Sequence, residues 1–432
     1  MSVRFFEGPA GSGKTYSMVE ELRRALQQQP LSAHERILGL SVMHGARLRL
    51  LDRLTRIPEA KSRVDCLTFD SFAWQIVKRW RSLATMALEG GSLPGELDYE
   101  STCSLAAILL SHDNVLHWAT QTYPIIVVDE SQDCRGGRLV ILQALARRSL
   151  VFAAADHFQD LFELEHNQAV EWLRTAGATT ELDTIHRTHE IALLSAAQSL
   201  RSRLGLKNGT TFRVASTFRP NDAASVAART LAWNKWTSVA ILTPTGLSSS
   251  RYVQGVLMRL TEKPIVPKRV GKPLGPFRIE WEAGARDIEA TLRKCIGLPD
   301  DLNATVHIQD FRDDDGTIGY RELLGWIRYQ HRLNGCEQFT VREINRQIIN
   351  VCTRIRAYRS PRQSSIRAMT IHQAKNQEFD GVIVLWPYEV GPNEEMNRRL
   401  LYNAVTRARR WCQVLVQDPD RTRVQKPPFT QS

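Results

Sequence analysis

At 432 residues, with 43% hydrophobic and 24% charged side chains, the chain has an ordinary globular composition. It is long enough for two or three domains, each with its own core. No stretch approaches the roughly 18 consecutive apolar residues of a membrane span, and the formal net charge of +11 points to a polyanionic partner.

In chain order, residues 3–6 read as an apolar strand, followed by a glycine-rich loop and an amphipathic helix over 14–28. The loop opens so early that no secretory leader is expected. Residues 37–42 form a second apolar run. Residues 47–54 have helical spacing, with Leu48, Leu51 and Leu54 expected on one side. A strand is expected over 65–69 and a helix over 71–80, then a loop or small insertion marked by Gly90, Gly91, Pro94 and Gly95. Residues 125–128 and 150–155 are wholly or mainly apolar and end in acids, the pattern of buried parallel strands. Apolar strands recur at 238–242, 381–385 and 412–416, with a charged, mostly helical stretch over 287–359 between them. Strands alternating with helices imply an α/β fold with doubly wound parallel sheets, whose ligands sit at the carboxyl ends of the strands. Gly8, Asp129 and Asp156 all fall at such ends.

Gly8-Pro9-Ala10-Gly11-Ser12-Gly13-Lys14-Thr15 matches the GxxxxGK[ST] phosphate loop in full, between an expected strand and an expected helix. Its backbone N–H groups and the helix N-terminus suit a polyphosphate. Lys14 is placed to neutralise the β and γ phosphates, and the Thr15 hydroxyl to hold Mg²⁺. Asp129 and Glu130 supply the complement: one acid for the metal's water shell, one to polarise an attacking water. The bland alternative for this pair is two ordinary helix-capping acids. ATP and Mg²⁺ are the expected substrate and cofactor.

Asp129-Glu130-Ser131-Gln132-Asp133 resembles the DExQD box of UvrD/Rep-type superfamily 1 helicases, and further boxes follow in the family's order. Thr68-Phe69-Asp70-Ser71-Phe72-Ala73 is similar to TFHSFA, and Ala155-Asp156-His157-Phe158-Gln159 to GDxxQ. Ile185-His186-Arg187-Thr188 is similar to the NYRS box. The run from Thr370 to Phe379 resembles TVHSAKGLEF, and that from Arg399 to Ala408 resembles RRLLYVAxTRA. The resemblance implies two RecA-like P-loop NTPase domains with small, mostly helical insertions. It makes Gln159, Arg187 and Arg407 the γ-phosphate-sensing residues, with the arginines donated by the second domain across a cleft, and gives the ribose to Glu378. Thr68, His372 and Phe162 would lie near nucleic acid. It further implies ATP-driven movement along single-stranded or partly duplex DNA, 3′ to 5′. The expected domains are 1–185 (with a short insertion around 76–122), 186–286 continued at 360–418, a helical insertion over 287–359, and a tail over 419–432.

Several positions depart from the family's pattern. The glutamine-bearing helix that reads adenine ahead of the phosphate loop has no counterpart here, which leaves GTP or mixed nucleotide use open. The adenine-stacking tyrosine of NYRS is His186, and glycines of two boxes are Ala155 and Asn376. Where the family has TFTNKAA the chain has Ser41-Val42-Met43-His44-Gly45-Ala46-Arg47, lacking an aromatic whose base stacking is worth about 1–3 kcal/mol. Trp74, Phe158 and Phe162 are substitute platforms or core residues. Short spacings between the boxes indicate trimmed insertions, so a second reading stands beside the motor: a helicase-like ATPase subunit that regulates a partner nuclease, as in bacterial antiphage defence. The seven cysteines (Cys66, Cys103, Cys134, Cys295, Cys336, Cys352, Cys412) form no CxxC pair. That argues against structural zinc and for a reduced, cytoplasmic setting. The acidic stretch Phe311 to Glu322 approaches a calcium loop but has Phe311 at the first ligand position.

Overall fold

A computed structural model describes residues 3–88, 99–161, 166–186, 188–233, 236–267, 271–282, 285–312, 316–317, 319–358, 366–391 and 393–430. The chain divides into two compact units. The first comprises residues 1–211, 391–410 and 427–432; the second comprises 212–390 and 411–426.

The first unit is built on a six-stranded sheet of order β3-β2-β4-β5-β1-β6. Its strands are β1 (Val3–Glu7), β2 (Ile37–Ser41), β3 (Val64–Thr68), β4 (Ile125–Val128), β5 (Leu150–Ala155) and β6 (Gly177–Glu181). Every neighbouring pair runs parallel. β2 and β4 are buried along their whole length, because helices cover both faces of such a sheet and leave no solvent-facing positions. The helix Lys14–Gln28 buries Met18, Leu22 and Leu26, a repeat of four that keeps one stripe on the sheet.

Strand β3 ends one residue earlier than expected, because Thr68 accepts a hydrogen bond from Ser71 N–H and caps the helix Phe69–Arg79. In the helix His44–Thr55 the buried side is Ala46, Leu50 and Leu54, while Leu48 is 48% exposed. The expected register of that face is therefore rotated: spacing by four, not three, follows the groove over β2 and β3. The helices Tyr99–Leu110 and Asp113–Thr122, within the expected 76–122 insertion, bury Cys103, Leu109, Val115 and Ala119 in the same core as the sheet. Gly90, Gly91, Pro94 and Gly95 lie outside the described residues.

The second unit carries β7 (Phe212–Thr217), β8 (Val239–Thr243), β9 (Ile279–Trp281), β10 (Thr305–His307), β11 (Gln338–Thr340), β12 (Ile366–Thr370), β13 (Phe379–Trp386) and β14 (Ala408–Gln417). Six of these form a sheet of order β7-β14-β13-β8-β12-β9, with parallel pairing of β7 to β14, β13 to β8, and β12 to both β8 and β9. The molecule is thus α/β, with two RecA-like parallel sheets flanked by helices. The helices Ala285–Ile296, Tyr320–Asn334 and Val341–Tyr358, with the antiparallel pair β10–β11, enclose a separate core of Leu292, Leu323, Ile327, Ile344 and Val351.

The division between the units falls at residue 211, later than the expected 185, and residues 391–410 pack with the first unit instead of the second. The helix Ile191–Arg201 and the helix Glu394–Val405 pack on each other there, held by buried bonds to the end of β5. No helix among the described residues is long and apolar enough to cross a membrane.

Candidate nucleotide site

Strand β1 delivers the phosphate loop between β5 and β6. A Cβ on Gly8 would meet the Leu182 carbonyl oxygen at 2.2 Å, so only glycine admits this close approach, and Gly13 enters the helix at φ +82°. The Lys14 ammonium is buried over the loop and donates to the carbonyls of Gly8 and Pro9, both at 2.9 Å. The Ser12 hydroxyl is buried without a hydrogen-bond partner. A buried orphan hydroxyl beside a buried ammonium is the provision a phosphate would use. His186 N–H donates to the Gly11 carbonyl at 2.7 Å, and its ring lies against Gly13. The residue standing in for the family's stacking tyrosine is therefore at the loop.

At the end of β4, Thr15 Oγ1 lies 3.1 and 3.3 Å from the two Asp129 carboxylate oxygens. Burial, and then the neighbouring Glu130, push the Asp129 pKa up, opposed by Arg53, Lys14 and the Thr15 hydrogen bond. A crowded carboxylate beside a hydroxyl is an oxygen-only donor set that a Mg²⁺ ion would fit and relieve. Glu130 sits at φ +56°, in the left-handed region that a non-glycine residue rarely adopts. Its carboxylate accepts from Gln132 Nε2 at 2.6 Å, while Gln132 Oε1 accepts from the Asp156 N–H. Backbone strain is held here by a side chain that also grips the next strand end.

Asp156, after β5, is fully buried and multiply bonded. It accepts from Arg201 Nη1 (2.7 Å), Tyr402 Oη (2.9 Å), Gln159 Nε2 (3.1 Å) and Phe158 N–H (3.1 Å). Burial alone would raise its pKa; the charges of Arg201 and Lys14 and the hydrogen bonds outweigh it and hold the carboxyl well below the usual range. Gln159 Oε1 accepts from Arg407 Nη2 at 3.2 Å, and Arg407 is 2% exposed. Arg407 therefore stands in the first unit beside Gln159, whereas the sequence reading expected it to be donated by the second domain. The reason is the packing of the helix Glu394–Val405, where Arg399 also donates to the carbonyls of His157 and Asp160.

The other candidates divide. Thr68 spends its hydroxyl on its helix cap and on Ser71 Oγ. Phe158 is buried edge-on to Tyr402 and beneath Arg201 and Arg399, so it is a core residue and no base platform. Trp74 is exposed. His372 and Glu378 flank the turn between β12 and β13 in the second unit, where each has an interaction partner. Asn376, in place of the family's glycine, takes φ +70°, a conformation asparagine tolerates better than most side chains. Arg187 and Phe162 lie outside the described residues, as do Asp313, Asp314, Asp315 and Ile318 of the acidic stretch. The sequence assigns no role to Arg201 or Tyr402. Tyr402 had a signal, its place within a motif; Arg201 had none.

Residues 365–415 match the family model for the UvrD-like helicase C-terminal domain. Among solved structures, the complex of arterivirus nonstructural protein 10 (helicase) with DNA is similar at 11% identity and a TM-score of 0.39, over 97% of this chain and 61% of that one. The PRRSV helicase is similar at 13% identity and a TM-score of 0.34, over 97% and 53%. The chain thus spans less than two thirds of either. No curated protein matches it.

Proposed function

We propose that this chain, with its UvrD-like C-terminal boxes, hydrolyses ATP to move along single-stranded DNA, in the 3′ to 5′ direction. The observation that carries the reading is a connected geometry at the strand ends: Lys14 donates to the Gly8 and Pro9 carbonyls, Thr15 beside it bonds Asp129, and Glu130 is tied through Gln132 to Asp156, which holds Gln159 and through it Arg407. Lys14, the loop amides and Ser12 bind the phosphates. Thr15 and Asp129 would hold Mg²⁺, which when bound screens the charge between the β and γ phosphates. Glu130 accepts the proton of the attacking water as its oxygen bonds to the γ-phosphorus and ADP leaves. Gln159 and Arg407 stabilise the charge that develops on the transferred group. The positive net charge supports a nucleic-acid track.

Steady-state hydrolysis with and without single-stranded DNA, paired with displacement of a labelled strand, tests this. Wild-type turnover should rise about tenfold or more with single-stranded DNA, and the labelled strand should be displaced in an ATP-dependent way. Glu130→Gln should still bind ATP while losing about 10²–10⁴-fold in turnover, the usual contribution of a general base. Lys14→Ala should lose about 10³-fold or more. Hydrolysis by Glu130→Gln at the wild-type rate would remove the assignment of the base. An absence of wild-type hydrolysis on single-stranded DNA, duplex DNA and RNA would remove the motor.

A further inference from the structure

The hydroxyl of Tyr402 joins two parts of the site that chain order keeps far apart. It has one proton and two lone pairs, and all are engaged. Ala10 N–H, inside the phosphate loop, donates to it at 2.9 Å, and Arg201 Nη1 approaches at 3.3 Å. Both partners can only donate, so the Tyr402 proton must go to Asp156 Oδ2, 2.9 Å away. That same oxygen accepts from Gln159 Nε2, which turns the Gln159 carbonyl oxygen toward Arg407. A continuous line of hydrogen bonds, donated toward Asp156 from both ends, therefore joins Ala10 and Tyr402 on one side to Gln159 and Arg407 on the other. Tyr402 is 1% exposed and Asp156 fully buried, so water cannot replace a missing link without a cavity.

We propose that Tyr402 is a positioning residue for phosphoryl transfer: its hydroxyl fixes the phosphate loop at Ala10 relative to Gln159 and Arg407, so that turnover, more than nucleotide affinity, depends on it. The proposal rests on the ATP-hydrolysis reading above. Ground-state phosphates are held by Lys14 and the remaining loop amides, which Tyr402 does not touch. Gln159 and Arg407 act on charge that appears only during transfer, and interactions made only then change kcat and leave KM. The bland alternative is a buried tyrosine kept for packing, since its ring meets Phe158 edge-on at 5.0 Å. Phenylalanine preserves that packing and removes only the hydroxyl.

The test is DNA-stimulated ATP hydrolysis by the full chain carrying Tyr402→Phe, with ADP affinity measured in parallel. The expected result is a kcat lower by about tenfold or more, with KM for ATP and Kd for ADP within about threefold of wild type. Turnover within about twofold of wild type overturns the proposal, as does a kcat loss accompanied by an equal loss of ADP affinity. Should Tyr402→Phe fail to fold, 3-fluorotyrosine placed at position 402 alone alters the donor and acceptor strength of the hydroxyl without changing the packing. A shifted kcat at constant KM then supports the proposal, and an unchanged kcat overturns it. A wild-type chain that does not hydrolyse ATP overturns the motor reading instead, and the two failures are told apart in the same assay.

Discussion

The two parallel sheets use the same strand architecture but treat their carboxyl edges differently. In the first unit that edge holds buried charge: Lys14, Asp156, Asp160, Arg399 and Arg407 are all nearly or fully inaccessible. In the second unit the corresponding edge buries the Asp418 carboxylate, which is spent on the N–H groups of Arg423 and Val424, beside neutral groups that finish their own turns. Thr370 N–H and Oγ1 both donate to Gln373 Oε1 at 2.7 and 2.8 Å, and Thr243 Oγ1 accepts from Thr245 N–H. Ionised groups out of water are costly unless paired or given a ligand, so a sheet edge that gathers them is specialised, while one that closes its own loops is a support. The fold is shared; the chemistry is set by side chains at strand ends.

The largest expected effect that separates the edges is on Arg201. Arg201→Ala leaves the fully buried Asp156 without its nearest counter-charge, a loss of about 3–5 kcal/mol in other buried pairs broken from one side. Urea unfolding of the whole chain should show it, and Arg201→Lys should recover part of the loss. A change under about 1 kcal/mol would mean that Tyr402, Gln159 and the Phe158 amide suffice for Asp156, and the charged edge would be less demanding than its burial indicates.

Much of that edge was legible in advance, for a physical reason. The phosphate loop and the Asp129–Glu130 pair are local in sequence, and β2, β4 and β5 are apolar runs whose burial follows from composition. What stayed hidden depends on contacts between distant segments. β6 reads Gly-Ala-Thr-Thr-Glu and is mostly exposed; only pairing with β1 makes it a strand. Arg201 is one basic residue at a helix end until tertiary packing brings Asp156 to it. Tyr402 lies in a recognised box, yet its partners Ala10 and Asp156 are far away in the chain. The same packing moved residues 391–410 to the first unit, against the order in which the boxes are read.

A middle-sized effect tests the amino side of the phosphate loop. Glu7 closes β1 and binds Arg174 through both oxygens, at 2.8 and 2.6 Å, and His157 Nδ1 at 3.0 Å. Burial would raise its pKa, but the hydrogen bonds and charges of His157 and Arg174 bring it down to about 2 from 4.5. A carboxyl lowered in the folded state stabilises above its unfolded pKa, and that stability fades as pH falls toward the folded value. The stability difference between wild type and Glu7→Gln should therefore be about 2–3 kcal/mol at neutral pH and shrink as pH falls from about 4.5 toward about 2. A difference that stays constant across that window would assign the effect to packing.

The smallest effect belongs to the second unit, at the amino edge of its sheet. Asp380 Oδ2 accepts from Thr237 N–H at 3.1 Å, Ser238 N–H at 3.3 Å and the Thr237 hydroxyl, while Asp380 N–H donates to Ser238 Oγ. This stitches the start of β13 to the start of β8, at the end of the sheet opposite to the one that holds ligands in such folds. The carboxylate is only partly buried, so water can take over some of these bonds, and Asp380→Ala should remove about 1 kcal/mol of stability. Because the residue joins the amino ends of two strands, DNA-stimulated hydrolysis should stay within about twofold of wild type once both proteins are assayed well below their Tm. A tenfold fall in turnover at unchanged stability would show that the second sheet does more than support, and the contrast between the two edges would have to be redrawn around Asp380.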